Sequence, residues 1–285
     1  MIRVEQLAEA SSLLGVAADF LSANEALNNI IFGVSADAAA GHFGHNGIWL
    51  VAFDGDVVCG VAIATSPHPI AIAHGSTPEA VAELARLGAD LYPNPAKLPF
   101  LCGAEAWTTI CGVLEAKGMH SAMCKVGQGV YECTNVEWPR AVDGEFRAMR
   151  PDEADLIVQW MDAFAVEAMD EAPRDPAGLQ KLKDLLVRRG GRFVWEIDGE
   201  VVSMAAALGN TPTGIRISYV YTPPRWRGRG FASNITAHLT QHMFDSGRER
   251  VFLFTDLANP TSNGIYKAIG YRHVGDSSMY TILRG

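Results

Sequence analysis

The same strand, turn and strand pattern occurs twice in this chain. Residues 48–53 and 57–63 are mostly apolar and flank Asp54-Gly55-Asp56, and residues 192–197 and 201–208 flank Asp198-Gly199 in the same way. An Asp-Gly turn supplies the positive φ that a tight β-hairpin needs. Each pattern therefore predicts a hairpin, and two such hairpins far apart in one chain indicate two similar folding units.

The elements around the hairpins repeat in the same order. In the first half, we predict helices over 7–21 and from 27, the hairpin, a strand over 70–73, a helix capped by Thr77, a strand near Phe100 and a helix over 105–117. In the second half, we predict a strand over 146–149, helices over 151–168 and 176–188, the hairpin, a strand over 215–221, a helix over 230–245, a strand over 250–255, a helix over 260–269 and two closing strands within 271–282. Repetition of this order favours duplication of one unit.

Length and periodicity place the division between the two units. The chain has 285 residues, about twice the common domain size of ~150. Residues 134–144 lose the periodic apolar pattern, as a linker does. We therefore predict an α/β (α+β) fold of two tandem domains, each a mixed, mostly antiparallel sheet flanked by helices. The predicted domains are residues 1–135 and 145–285, joined by a linker over 136–144.

Composition excludes several classes of partner. The net charge is -9, which disfavours binding to nucleic acid or to an anionic membrane, and no apolar run approaches the ~20 residues of a membrane span. The cysteines show no C-x-x-C pair or other metal-ligand spacing: Cys59, Cys102, Cys111, Cys124 and Cys133. Their odd number indicates reduced thiols, so we expect a cytoplasmic protein without nucleic-acid or membrane partners.

A basic, glycine-containing loop is the strongest functional signal. The loop reads Arg225-Trp226-Arg227-Gly228-Arg229-Gly230 and lies between a predicted strand and a predicted helix. Glycines let backbone amides approach a ligand, and the start of a helix directs free amides and its positive dipole end toward an anion. The following helix has an apolar face: Phe231, Ile235, Leu239 and Met243. The loop is thus predicted to bind a pyrophosphate group.

Two other interpretations of this loop stay open, and a third is excluded. It could be an exposed basic turn before an ordinary helix. A dinucleotide-binding fingerprint would have a third Gly or Ala where Ser233 stands, and an acidic ribose ligand ~20 residues later that is missing here. A Walker A loop would need Gly-Lys followed by Ser or Thr, which is absent.

A second motif follows downstream. In residues 259–271, Asn259 is the predicted N-cap, Pro260 occupies the first helical position and Gly270 ends the helix. Asn259, Ser262 or Asn263, and Tyr266 share a polar face that can meet a ligand.

Together the two motifs resemble the acetyl-CoA-binding region of the GNAT acetyltransferase superfamily. The patterns are R-x-x-G-x-G in the loop and N-x-x-S-x-x-x-Y-x-x-x-G-Y downstream, and the resemblance runs from about Phe146 to the end of the chain. It implies two tandem GNAT-like domains, with acetyl-CoA bound as co-substrate by the second. The implied cofactor-binding residues are Val220, Tyr221, Thr222, Arg225, Arg227, Gly228, Arg229, Gly230, Phe231, Ala232, Asn259, Ser262 and Tyr266.

The resemblance also implies a reaction. It is transfer of an acetyl group from acetyl-CoA to an amine, on a small molecule or on a protein or peptide, by direct attack. Tyr266 would be the general acid, because a phenol with a pKa of ~10 can donate a proton to a departing thiolate, whose thiol has a pKa of ~8.5. A packing role for Tyr266 is the alternative. Glu167 and Glu196 are candidates for the general base.

Two further functions stay open. The chain could be a non-catalytic acyl-CoA-binding sensor or regulatory module, or, less favoured, an NAD(P)-binding oxidoreductase. No metal is predicted, since His238 and His242 lack the glutamate between them that a zinc-protease helix carries. His42, His45 and His68 have no suitable ligands nearby in the sequence.

The first half lacks the loop. At the corresponding place, residues 73–79 contain one glycine, no arginine and Glu79, whose charge would repel a phosphate at the helix start. We expect a degenerate GNAT-like domain that does not bind the cofactor. It would instead wall the substrate cleft or form a homodimer.

Overall fold

The computed structural model describes residues 1–42, 47–93 and 97–284. His45 lies outside the described residues. The strands of the described part are β1 (Ile2–Gln6), β2 (Gly47–Asp54), β3 (Val57–Thr65), β4 (Ile70–Ile72), β5 (Lys97–Cys102), β6 (Met119–Val126), β7 (Gln128–Cys133), β8 (Glu145–Ala148), β9 (Arg192–Ile197), β10 (Glu200–Asn210), β11 (Gly214–Tyr221), β12 (Arg250–Asp256), β13 (Arg272–Asp276) and β14 (Ser278–Arg284). The helices are α1 (Ala10–Ser22), α2 (Asn29–Ala39), α3 (Pro78–Leu91), α4 (Ala104–Glu115), α5 (Ala154–Met169), α6 (Pro176–Arg189), α7 (Phe231–Asp245) and α8 (Pro260–Ala268).

The described strands form two seven-stranded sheets with equivalent orders. The first runs β1-β2-β3-β4-β5-β14-β6, and the second runs β8-β9-β10-β11-β12-β7-β13. In each sheet the fourth and fifth strands, β4 with β5 and β11 with β12, pair in parallel, and the other pairings are antiparallel. The predicted fold class of two mixed, mostly antiparallel sheets is confirmed.

The two hairpins form as the sequence predicts. Asp54 pairs with Val57 and Gly55 has φ +60, while Ile197 pairs with Glu200 across Asp198 (φ +49) and Gly199 (φ +81). Positive φ at both central residues of the second turn is the geometry of a type I′ turn, which matches the right-handed twist of the strands. The turn chemistry therefore helps to fix the register of both hairpins.

Helices cover both faces of each sheet. In the first half, one core packs α3 and α4 on the sheet, around Leu84 and Phe100, and a second packs α1 and α2, around Leu13 and Trp49. In the second half, one core packs α7 and α8, around Ile235, and the other packs α5 and α6. Each half thus buries apolar side chains in two layers, one on each side of its sheet.

Each sheet contains one strand from the other half of the chain. β7 follows the first six strands in sequence but lies between β12 and β13 of the second sheet, while β14 lies between β5 and β6 of the first. The sheets therefore do not follow the predicted division at residues 136–144. In particular, the two strands expected as a closing pair within 271–282 are β13 and β14, which belong to different sheets.

Three strands escaped prediction. β1, β6 and β7 are short or interrupted by glycine and polar residues, so their apolar periodicity is weak, and pairing with sequence-distant strands stabilises them instead. Among the described residues, no helix has both the length and the apolar character that a membrane crossing requires.

The two halves also contact through α2 and the turn before it. The carboxylate of Glu25 accepts hydrogen bonds from the Thr213 amide and hydroxyl, both at 2.8 Å. Gly33 of α2 faces Gly209 of β10 so closely that a Cβ at Gly33 would lie 2.5 Å from the Gly209 Cα. Gly33 is therefore needed for the halves to pack this closely.

Candidate active site

The second sheet opens where β11 and β12 separate. The parallel pairing covers Gly214, Ile215 and Arg216 of β11, opposite 250–252 of β12, and does not continue to Tyr221. β11 also has an irregularity opposite β10, because Met204 pairs with Tyr221 but Ala206 pairs with Ser218, and Tyr219 has φ +54 in that interval. This bulge turns the end of β11 away from β12 and leaves an open edge for an extended ligand.

The basic loop lies directly beyond this edge. Gly228 has φ +75, with no atom within 4 Å of the place that a Cβ would take, and Gly230 has φ +85 as the N-cap of α7. No side chain in the described part of the chain caps α7, and the first turn of this helix carries no acidic residue. The free amides at the start of α7 therefore face the loop without a competing carboxylate, which is the arrangement that binds phosphate groups.

Trp226 lies between two arginines of the loop and packs against α7. Arg225 forms an exposed ion pair with Glu200 at 2.7 Å, and the guanidiniums of Arg225 and Arg229 lie 5.7 and 4.8 Å from the Trp226 ring centroid. The Trp226 ring meets Phe231 edge-on, and its buried Nε1 has no hydrogen-bond partner among the described residues. Trp226 thus fixes the loop against α7 while two cationic side chains stay available to an anion.

The end of β11 is tied down by neighbouring side chains. Ser203 donates a hydrogen bond to the Tyr221 carbonyl at 3.1 Å, and Arg227 Nε donates to the Thr222 carbonyl at 2.8 Å. A carbonyl oxygen has a second lone pair, so both groups can still accept from a ligand. Val220, between these residues and the bulge, is half-buried.

A tyrosine, a carboxylate and an arginine converge beside this strand. The Tyr221 hydroxyl donates to Glu167 Oε1 at 2.8 Å, and Arg227 Nη2 contacts Glu167 Oε2 at 2.5 Å. Burial raises the pKa of Glu167, but the hydrogen bonds from Arg227 and Tyr221 outweigh it and hold that pKa below its usual value. Burial and the bond to Glu167 raise the pKa of Tyr221. Glu167 is thus ionised next to the predicted pantetheine strand.

The other predicted base lies elsewhere. Glu196 is on β9, two strands from β11, and accepts from Arg147 Nε at 2.9 Å and Arg150 Nη1 at 3.1 Å. Glu153 completes this ion-pair network through Arg147. The hydrogen bond from Arg147 is the main reason that the pKa of Glu196 is lowered. Both carboxylates have a lowered pKa, so position separates them: Glu167 contacts Tyr221 of β11, whereas Glu196 lies two strands away.

The helix of the downstream motif begins and ends at the residues that the sequence predicts. Asn259 accepts from the Ser262 amide at 3.1 Å as the N-cap of α8, and Gly270 has φ +102 just after the helix. Tyr266 is 9% exposed and belongs to the same core as Phe231, with Val220 packed against it. The structure therefore brings together Tyr266 and residues of β11 and α7.

Burial changes the acidity of Tyr266. It raises the pKa of Tyr266 to about 12. The phenol stays protonated at neutral pH, as a proton donor must, but its pKa lies further above that of a thiol, ~8.5, than the ordinary phenol value of ~10 does. Burial therefore makes transfer of the proton from Tyr266 to a thiolate less favourable than transfer from an ordinary tyrosine.

The first half has a closed counterpart of this site. Thr77 caps α3 by accepting from the Ala80 amide at 3.2 Å, and Glu79 lies in the first turn. The loop before α3 is occupied by Asn28, which accepts from the His74 amide at 2.8 Å and donates to the His74 carbonyl at 3.2 Å. The groups that are free before α7 are thus already bonded before α3.

The histidines take packing positions. His238 and His242 lie among aromatic rings of Trp138, Phe146 and Phe193, and burial lowers the pKa of His238. Within the described ranges, no group of three or more His, Cys, Asp or Glu side chains is arranged to hold a metal.

Sequence reasoning missed how the site residues connect. It assigns Tyr221 a main-chain role and Arg227 a charge, but their side chains meet on Glu167. These residues come from α5, β11 and the loop, so no local pattern could show their contact. Trp226 carried a signal, since a tryptophan between arginines is suited to cation–π contacts.

A parallel strand pair that separates, followed by a glycine loop and an uncapped helix, is an arrangement suited to an extended, phosphate-bearing ligand. Residues 155–271 match the model of the acetyltransferase (GNAT) family. This chain therefore contains a GNAT acetyltransferase domain.

Solved structures extend the likeness to the whole chain. A GCN5-related N-acetyltransferase from Sphaerobacter thermophilus is 15% identical, with 100% of this chain and 96% of that chain covered and a TM-score of 0.63. A tandem GNAT protein from the clavulanic acid biosynthesis pathway is 13% identical, with coverages of 100% and 99% and a TM-score of 0.59. A GNAT-family acetyltransferase from Colwellia psychrerythraea is 10% identical, with coverages of 99% and 100% and a TM-score of 0.57. At these identities the likeness shows the tandem GNAT fold.

Proposed function

We propose that this protein is an N-acetyltransferase that transfers an acetyl group from acetyl-CoA to an amine. The observation that carries the proposal is the start of α7, where two glycines with positive φ precede a helix without a side-chain cap or an acidic first turn. The open end of β11 lies beside it. An extended strand edge next to a phosphate site fits the pantetheine arm and pyrophosphate of coenzyme A.

The residues have distinct roles in this proposal. The backbone of 220–222 pairs with the pantetheine arm, and the amides of 227–232 hold the pyrophosphate, with Arg225 and Arg229 adding charge. Asn259 and Ser262 flank the ligand from the start of α8. Acetyl-CoA supplies an activated thioester. The acceptor nitrogen attacks the thioester carbon, the carbon–sulfur bond breaks, and Tyr266 gives its proton to the sulfur.

The proton of the acceptor amine leaves to a base or to water. Of the two candidate carboxylates, Glu167 is the better placed, because it contacts Tyr221 on β11 whereas Glu196 is held by Arg147 and Arg150. The lowered pKa of Glu167 makes it too weak a base to deprotonate a free ammonium, so the acceptor enters as the neutral amine, and Glu167 or water takes the proton that the nitrogen releases once it has attacked. The first half would wall the acceptor cleft, and its capped α3 supports one cofactor site per chain.

The test is thiol release from acetyl-CoA with a panel of amines, comparing wild type with Tyr266→Phe. General acid catalysis contributes typically 10²- to 10⁴-fold, so we expect kcat to fall about 100-fold or more with unchanged CoA affinity. Tyr271→Phe is the matched control, since Tyr271 is also buried and its ring lies 6.0 Å away, but its hydroxyl bonds to Thr240. Equal turnover in wild type and Tyr266→Phe would remove Tyr266 from the mechanism. CoA binding without acetyl transfer to any amine would favour an acyl-CoA sensor.

A further inference from the structure

The junction between α2 and the second sheet holds more positive than negative charge. Arg189 at the end of α6, Arg192 on β9 and Arg216 on β11 lie within one electrostatic neighbourhood, together with Asp37 of α2. Asp37 contacts Arg189, and His42 approaches Asp37 at 3.5 Å. Among the described residues only Arg189 contacts this carboxylate, and neither Arg192 nor Arg216 forms an ion pair, so two of the three positive charges have no counter-charge in contact.

Neutral groups satisfy the other two arginines only in part. Arg192 is 5% exposed, its Nη1 donates to the Gly190 carbonyl, and its Nε has no partner among the described residues. Arg216 donates from Nη1 to Asn29 Oδ1 at 2.9 Å and from Nε to Ser218 Oγ at 3.3 Å. Burying guanidiniums without counter-charges is costly, and burial followed by the charge of Arg189 lowers the pKa of both arginines to about 10. An anion from outside the chain would offset this cost.

This cluster is connected to the open end of β11. Arg216, Ser218, Tyr219 and Val220 belong to the strand and are all half-buried, whereas Ile217 between them is buried, so one partly accessible stretch runs from the cluster to the site. The contact with Ser218 directs the Arg216 guanidinium along the strand toward the Tyr219 bulge. At ~3.3 Å per residue, the Cα atoms of Arg216 and Tyr219 are about 10 Å apart, and the side chain shortens that distance. A small molecule can therefore span from Arg216 to the separation of β11 and β12.

We propose that the acceptor is an amine that also carries a small oxyanion, a carboxylate or a phosphate, and that Arg216, with Arg192 behind it, binds this oxyanion. The inference rests on the proposed function for the position of the amine. Planar guanidiniums suit oxyanions because they donate two parallel hydrogen bonds. The first half takes part in this specificity, since Asn29 of α2 holds the Arg216 guanidinium from the opposite side.

The experiment measures binding first and catalysis second. Isothermal titration of the protein saturated with CoA uses the ω-amino carboxylates from glycine to 6-aminohexanoate, each against its primary amide. O-phosphoethanolamine against ethanolamine is the phosphate arm. We expect at least one oxyanion-bearing member to bind about 10- to 100-fold more tightly than its neutral partner, as a hydrogen-bonded charge pair does. A difference between the amino carboxylates and their amides would identify the oxyanion as a carboxylate. A difference between O-phosphoethanolamine and ethanolamine would identify it as a phosphate.

Variants then assign the difference to Arg216. Arg216→Met is expected to abolish the preference, and Arg216→Lys to restore part of it. Arg248→Met is the matched control, because Arg248 bonds to Asn210 on the same sheet but lies outside the cluster. Asn29→Ala separates structure from binding, since it removes the contact across the junction but keeps the charge of Arg216. Asn29→Ala should keep more of the preference than Arg216→Met does, and Arg216→Met should still bind the neutral amides as wild type does. Loss of amide binding as well in Arg216→Met would mean that Arg216 only holds the halves together, and would overturn the proposal.

The experiment distinguishes failure of the oxyanion site from failure of the acetyltransferase proposal. Equal affinities of every acid and amide pair in wild type, or an unchanged preference in Arg216→Met, overturn the oxyanion site even if acetyl transfer occurs. A clear preference with no acetyl transfer to any bound amine supports the oxyanion site and contradicts the acetyltransferase proposal. Where transfer occurs, Arg216→Met should raise KM for the oxyanion-bearing amine by about the factor by which it weakens binding of that amine. It should change kcat little, as loss of uniform binding does.

Discussion

The two halves of this chain share one sheet order and differ at one helix start. α3 and α7 both follow the fourth strand of their sheets, but α3 begins with the capping Thr77 and Glu79, whereas α7 begins with Gly230 and Ala232. A cap satisfies the same amides that a phosphate would, so stability of the helix start and anion binding are competing uses of one position. We therefore expect the first half to keep the shared fold without an anion site at α3.

The strand exchange tests whether the halves are independent units. β14 lies inside the first sheet, paired on both sides with β5 and β6. Removal of residues 278–284 should therefore unfold the first half, even though the deletion is in the second half of the sequence. Hydrogen exchange of β5 and β6 amides measures this, and protection equal to that of the full chain would show that each half folds alone.

A carboxylate at the start of α7 should make the second site like the first. Ala232 occupies the place in α7 that Glu79 occupies in α3, so Ala232→Glu is expected to weaken CoA binding about 10- to 100-fold, ~1.4 to 2.8 kcal/mol, by charge repulsion. Titration with CoA measures the change. Ala232→Gln has the same size without the charge and should bind CoA nearly as wild type does. Equal affinity of the Glu and Gln variants would mean that the phosphates do not bind at this helix.

The contact of Glu25 with Thr213 should make the junction between the halves pH-dependent. Burial raises the pKa of Glu25, but hydrogen bonds from Thr211 and Thr213 hold it below 4.5. A lowered pKa means that the stabilisation is present above pH 4.5 and is lost as the pH falls through the folded-state value. Glu25→Gln should cost about 1.5 to 3 kcal/mol at pH 7 and less near pH 3. Denaturant unfolding at both pH values checks this, and a pH-independent difference would contradict it.

The smallest effect is expected at the cap of the first half. Thr77→Ala removes the bond to the Ala80 amide and should cost about 1 kcal/mol of stability. The stoichiometry of CoA binding should stay at one per chain, because Asn28 and Glu79 still occupy the site. Calorimetry measures both quantities, and a second CoA equivalent in this variant would show that the cap alone had closed the first site.

Local signals account for what the sequence predicted. The Asp-Gly turns, the Thr77 cap and the segment from Asn259 to Gly270 depend on neighbouring residues, so hairpins, helix starts and the glycine loop follow from the sequence. The duplication followed from the order of these elements. The family resemblance supplied a general-acid role for Tyr266, which stays a prediction, and the fold places Tyr266 in one core with Phe231.

Long-range pairing accounts for what the sequence missed. Nothing in residues 128–133 or 278–284 indicates which sheet they join, because either sheet offers a suitable antiparallel edge and the choice depends on the whole topology. The contacts of Glu167 with Tyr221 and Arg227, and of Arg216 with Asn29, join residues from separate elements. The raised pKa of Tyr266 results from burial, which a sequence motif does not predict.

The exchanged strand also has a consequence for biosynthesis. During translation, residues 1–126 emerge with six of the seven strands of the first sheet, but the gap between β5 and β6 is filled only when residues 278–284 have been made. The first sheet must therefore wait, with two unpaired inner edges exposed, for nearly the whole chain to be synthesised. We expect nascent chains that end before β14 to be the species most in need of a chaperone.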